Sequence, residues 1–150
     1  MKISIVEDDY LQADALREVL GRAFSNAQID CISTEERFRS KLGEWEAAKQ
    51  EKPDLVIMDI MLRWTDPAPN MPDPPEDVAR EGFRRAGIRC RELMSTNKAT
   101  QNVPVILYSV LEKSDLREEL DESDLSMSYM PKNSDTSKLL KRIRQLLRTT

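Results

Sequence analysis

The chain contains no histidine, so neither a His-based catalytic triad nor a His-ligated metal can arise within it. Cysteine is nearly as scarce: Cys31 and Cys90 stand far apart and form no CxxC pair. Two free, mostly buried thiols in a reducing compartment are expected. No apolar run approaches the length of a membrane span. The N-terminus, Met1-Lys-Ile-Ser-Ile-Val6, runs straight into a strand and lacks the layout of a signal peptide. There is no internal repeat. Neither sign of charge dominates, with 23 Lys plus Arg against 27 Asp plus Glu and a net charge of −4. That mild acidity argues against nucleic acid as a partner. The expectation is one cytoplasmic domain of 150 residues, long enough for a proper core.

What is present is organised around Asp54-Leu-Val-Ile-Met-Asp59. Four apolar residues without polar alternation fit a strand buried on both faces. An unpaired buried charge is costly, so Asp59 belongs at the strand's carboxyl end, the edge where open α/β sheets bind ligands.

The remaining chain alternates strand and helix. Residues 2–6 read as a first strand, ending in Glu7-Asp8-Asp9. Asp9 and Gln12 have the spacing of a capping box, which leaves Glu7 and Asp8 without a structural task. A helix follows over 10–24, then a half-exposed strand over 27–32. Ser33-Thr-Glu-Glu36 reads as a second capping box, before a helix carrying Phe38, Leu42 and Trp45. After Asp59, residues 63–77 hold Pro67, Pro69, Pro72, Pro74 and Pro75. Neither helix nor sheet runs through such a segment, so it reads as a long extended loop that Trp64 and Met71 can dock onto the body. A helix is expected over 78–95, with Phe83, Ala86, Gly87, Cys90, Leu93 and Met94 on its buried face. Further elements are a strand over 103–109, a short charged helix over 111–120, a strand over 126–130, a turn at Pro131-Lys132-Asn133, and a last helix over 135–148. Five alternations predict a parallel sheet with helices on both faces.

In that arrangement Glu7, Asp8, Asp59, Ser109 and Lys132 fall on one sheet edge. Crowded carboxylates hold protons or bind a cation. Oxygen ligands without His or Cys select a hard metal such as Mg²⁺. A hydroxyl, an ammonium and a divalent cation around one carboxylate describe a phosphoryl-transfer site with Asp59 as nucleophile.

This constellation resembles the receiver domain of two-component response regulators. The resemblance rests on Val6-Glu7-Asp8, Ile57-Met-Asp59-Ile-Met-Leu62, Pro104-Val-Ile-Leu-Tyr-Ser109 and Tyr129-Met-Pro-Lys132, and covers nearly all the chain except the proline-rich insert. It implies a flavodoxin-like sheet in the order 2-1-3-4-5. It implies that Asp59 accepts a phosphoryl group from a histidine kinase or phosphotransfer protein. Asp8, Asp59 and the Met61 carbonyl would ligate Mg²⁺, with Glu7 acting through water. Lys132 would bind a phosphoryl oxygen, and Ser109 and Tyr129 would be the switch pair. A stand-alone receiver without an output domain is expected. It would signal by contact with an unknown downstream protein through the face built by residues 111–120, the fifth strand and the last helix, a face that could also serve a homodimer. Neither turnover catalysis nor membrane association is expected. Because Met61 and Leu111 cannot orient an attacking water, the phosphoryl group should be long-lived.

Three features depart from the family pattern. Lys132 is followed by Asn133 where the family has proline and a cis bond, so a different loop is expected there. Val110 replaces a usually small residue. The glycine that follows the phosphoacceptor is assigned to Gly82, with the insert lying between. These departures favour, as the alternative, a receiver-like module that binds a partner without phosphorylation. A phosphatase of similar fold needs a second acid two residues after the nucleophile, and that position is Met61.

Overall fold

The computed structural model describes residues 1–118, 120–121, 129–133 and 135–148. Five strands, β1 (Lys2–Val6), β2 (Gln28–Ile32), β3 (Leu55–Met58), β4 (Val105–Ser109) and β5 (Tyr129–Pro131), form one parallel sheet in the order β2-β1-β3-β4-β5. The helices are α1 (Tyr10–Ala23), α2 (Glu35–Glu46), α3 (Glu76–Glu81), α4 (Ala86–Thr96) and α5 (Thr136–Arg148).

The period of two along each strand sorts side chains to opposite faces. Ile3, Ile5, Leu55, Ile57 and Ile106 point one way and pack with Leu20 of α1 and with Leu139 and Ile143 of α5. Val6, Val56, Met58 and Leu107 point the other way, onto Phe38, Leu42 and Trp45 of α2 and Ile88, Cys90 and Met94 of α4. Each such buried aliphatic contributes about 1.5–3 kcal/mol. All four residues of β3 are buried, so the central strand is covered on both faces. β2 lies at the sheet edge and is only partly buried. There Cys31 is exposed while Cys90 is buried, so only one of the two thiols belongs to the core.

Several local expectations are corrected. The helix expected over 78–95 is broken into α3 and α4. Gly82, at φ 74°, leaves helical space, and a 3-10 turn at Phe83–Arg85 follows. Phe83 is therefore exposed rather than on a buried face. α2 is capped by Thr34, not Ser33, through Oγ1 and the Arg37 amide at 3.2 Å. Asp9 caps α1 through the Leu11 and Gln12 amides. The reciprocal half of that box is absent, because the Asp9 amide donates to Glu7 instead, at 3.0 Å. Within 111–120 the described residues hold a 3-10 turn, Lys113–Leu116, in place of a helix. Asp115 caps the Glu112 amide there at 3.0 Å, and Leu116 is the turn's buried residue. Of the strand expected over 126–130, residues 126–128 lie outside the described residues.

Candidate functional site

β1 and β3 are adjacent and parallel, with Val6 opposite Met58. The residues just beyond them, Glu7, Asp8 and Asp59, therefore emerge side by side. Each offers a carboxylate oxygen, and these oxygens lie within 4.8 Å of one another. Glu7 and Asp59 are buried, while Asp8 is part-exposed. The Asp59 amide is fixed by the Val6 carbonyl at 2.8 Å, and its Oδ1 accepts from the Ile60 amide at 2.7 Å.

β5 delivers the lysine. Pro131 pairs with Ser109 in the sheet, and the Lys132 amide donates to the Ser109 carbonyl at 2.8 Å. The Lys132 ammonium reaches Asp59 Oδ2 at 2.9 Å and Glu7 Oε2 at 2.5 Å. Lys132 thus occupies the site although Asn133 follows it and no described peptide bond is cis. Burial pushes Glu7 above its ordinary carboxylate pKa, the Lys132 hydrogen bond opposes this, and the nearby Asp59 charge reinforces it. For Lys132 burial acts downward, but the hydrogen bonds to Glu7 and Asp59 outweigh it, and the ammonium is held above its usual range.

Ser109 is fully buried at the end of β4, and its hydroxyl accepts from the Leu111 amide at 3.3 Å. Tyr129 is buried beneath the same loop and donates its hydroxyl to the Leu111 carbonyl. Both proposed switch residues therefore grip one short loop. Val110, between Ser109 and Leu111, is 60% exposed. Met61 is half-buried two residues after Asp59. The segment around it is pinned by bonds from Gly87 to the Ile60 carbonyl (2.8 Å) and from Leu62 to the Phe83 carbonyl (3.2 Å).

Some contributors were not legible in the sequence. A Cβ on Gly87 would lie 2.1 Å from the Asp59 carbonyl oxygen, whereas one on Gly82 would meet nothing within 4 Å. Gly87, not Gly82, is thus the glycine on which the acidic loop rests. Arg63 binds Asp8 and was not anticipated: its amide donates to Asp8 Oδ2 at 2.8 Å and its Nε lies 3.4 Å from the same oxygen. No local pattern signals that contact. The insert's first residues clasp α2. The Arg63 and Trp64 carbonyls accept from the Glu35 and Glu36 amides at 3.0 and 2.9 Å, satisfying donors that a helix start leaves open. Arg39 stacks over the Trp64 ring, 5.6 Å from its centroid. Trp64 therefore docks the loop, whereas Met71 is 54% exposed and does not. Behind the clasp, fully buried Glu35 pairs with Arg89 at 2.8 Å and Arg39 at 2.9 Å.

The parallel order 2-1-3-4-5, with acids, hydroxyl and lysine emerging on one edge, is the arrangement that the sequence resemblance implies. No protein-family model matches the chain, and no curated protein matches it. Solved structures do. The signal receiver domain of a DNA-binding response regulator from Colwellia psychrerythraea 34H is 22% identical, with a TM-score of 0.67, over 99% of this chain and 98% of that one. The receiver domain of a signal transduction histidine kinase from Syntrophus aciditrophicus is 19% identical, with a TM-score of 0.66, over 99% and 91%. The receiver domain of the sensor histidine kinase PA1611 from Pseudomonas aeruginosa PAO1, which holds a magnesium ion in its active-site cleft, is 13% identical, with a TM-score of 0.67, over 98% and 97%. The chain has the receiver fold along nearly its whole length. No described helix is long and apolar enough to cross a membrane.

Proposed function

We propose that this chain is a phosphoacceptor receiver: Asp59 takes a phosphoryl group from the phosphohistidine of a kinase or phosphotransfer protein, and the change is passed on by protein contact. The observation that carries this reading is the Lys132 ammonium 2.9 Å from Asp59 Oδ2, inside a cluster of three carboxylates. An all-oxygen donor set of this size fits Mg²⁺. Asp8, Asp59 and the Met61 carbonyl would hold it, with Glu7 acting through water. Bound there, Mg²⁺ supplies charge neutralisation for the transferring group.

The protein's own part is positional and electrostatic. A carboxylate oxygen of Asp59 attacks phosphorus, and the bond to the donor's imidazole nitrogen breaks with its electron pair leaving on the imidazole. Lys132 exchanges a carboxylate contact for a phosphoryl oxygen and balances its charge. The Ser109 hydroxyl moves to another phosphoryl oxygen and releases the Leu111 amide. Tyr129, bonded to the Leu111 carbonyl, reads that loop movement and carries it to the β4–β5 side. At the same rim, Tyr10 and Leu11 are 75% and 76% exposed at the start of α1 and offer an apolar landing for the donor. Met61 and Leu111 cannot position water, which favours a long-lived phosphoryl group.

Beryllofluoride with Mg²⁺ tests the reading, because beryllium coordinates a carboxylate oxygen and its fluorines stand where phosphoryl oxygens would lie. A bound fluorine-19 signal that requires Mg²⁺ and is lost in Asp59→Asn is expected. No bound signal in the wild type contradicts the proposal and favours the phosphorylation-independent module.

A further inference from the structure

Arg63 makes three contacts with one residue across 55 positions of sequence. Its amide and its Nε both address Asp8 Oδ2, and its Nη2 donates to the Asp8 backbone carbonyl at 3.3 Å. An oxygen that already accepts two donors has little capacity for a further partner. A guanidinium and a divalent cation on the same carboxylate also repel each other. The Arg63 side chain is 45% exposed, so it is free to swing into solvent. Its backbone, by contrast, is anchored on α2 through the Glu35 amide. The next residue, Trp64, lies under Arg39.

We infer that Arg63 is an internal counter-cation for Asp8, which a divalent metal must displace, so that it sets the metal affinity and links metal binding to the clasp that Arg63 and Trp64 make on α2. The inference rests on the Mg²⁺ reading above. In the metal-free protein Arg63 neutralises Asp8 and steadies the crowded acids. When a cation takes Asp8, the guanidinium turns outward and the change is felt at Trp64. The insert is thereby tied to the occupancy of the site.

The test is Mg²⁺ titration by calorimetry of the full chain, as wild type, Arg63→Ala, Arg63→Met, Arg63→Lys and Asp8→Asn, each first shown to melt cooperatively. The Trp64 indole resonance, assigned through Trp64→Phe, is followed in parallel. Loss of an exposed pair worth up to about 1 kcal/mol corresponds to an affinity change of up to about fivefold. Arg63→Ala and Arg63→Met are expected to bind Mg²⁺ about two- to fivefold tighter than wild type, with Arg63→Lys between. Mere structural damage would weaken binding instead. The wild-type Trp64 resonance should shift on saturation, and the Arg63→Ala resonance should shift less. Equal or weaker binding by both Arg63→Ala and Arg63→Met, with binding lost in Asp8→Asn, overturns the inference and leaves the Mg²⁺ reading standing. No binding by wild type or either variant overturns both.

Discussion

Lys132 Nζ sits 2.9 Å from Asp59 Oδ2, across 73 residues of sequence, with both side chains less than a tenth exposed. The same ammonium serves Glu7. Removing it by Lys132→Ala leaves buried carboxylates without their counter-charge. Breaking a buried pair in this way costs about 3–5 kcal/mol. Urea unfolding without Mg²⁺ should show a loss in that range. Saturating Mg²⁺ should recover more stability in the variant than it adds to wild type, because the cation replaces the missing charge. A variant as stable as wild type would mean that the ammonium does not hold the acidic rim together.

Gly87 is the second sensitive point. Its missing Cβ makes room for the Asp59 carbonyl, and any side chain there must displace the backbone of the site. Gly87→Ala should cost about 3 kcal/mol, at the upper end for overpacking, and should weaken Mg²⁺ binding as well. Gly82→Ala tests a different cause. Nothing crowds its Cβ, and only its φ of 74° opposes substitution. It should lose stability through backbone strain without altering Mg²⁺ affinity. Denaturation and calorimetry on the two variants separate the effects.

Glu35 and Arg89 form the buried ion pair behind the clasp, at 0% and 5% side-chain exposure. Arg89→Ala strands Glu35 with Arg39 as its remaining partner and should cost about 3–5 kcal/mol. Replacing both members with methionine should recover most of that loss, since an apolar pair of similar volume avoids the desolvation penalty. A double variant no better than Arg89→Ala would mean that the wider contacts, Glu35 with Arg39 and Arg89 with Glu81, and not the stranded charge alone, supply the stability.

Asp77 contributes to the acid limb of stability. The hydrogen bond from Arg39, at 2.5 Å, holds its carboxyl below the ordinary value of 3.8. A depressed folded-state pKa contributes stability above the unfolded value, which is lost as pH falls through the folded one. Thermal melts of wild type should therefore drop below about pH 4. Asp77→Asn should begin lower and fall less steeply in that window. Identical slopes would show that the contact does not persist in solution.

Much of the fold was legible because the strands are short apolar runs punctuated by helix stripes. Asp59 at the end of Leu55–Met58 marked the candidate edge, and the acids, hydroxyl and lysine all emerge there. What local pattern could not show was contact across the insert. Beside the Thr34 cap, Arg63 and Trp64 supply carbonyls to the next two amides. The close seat of Gly87 depends on where the acidic loop lies. Arg63 on Asp8 is a pairing over 55 residues with no periodicity to announce it. Lys132 reached its place without the expected proline, because the sheet pairing of Pro131 with Ser109 already aims it.

Intact-mass measurement after incubation with acetyl phosphate and Mg²⁺ bears most directly on the central claim. The expected result is the gain of one phosphoryl group that requires Mg²⁺, persists for minutes or longer and is absent from Asp59→Asn. No gain in wild type, or an equal gain in Asp59→Asn, would contradict the assignment of Asp59 as phosphoacceptor.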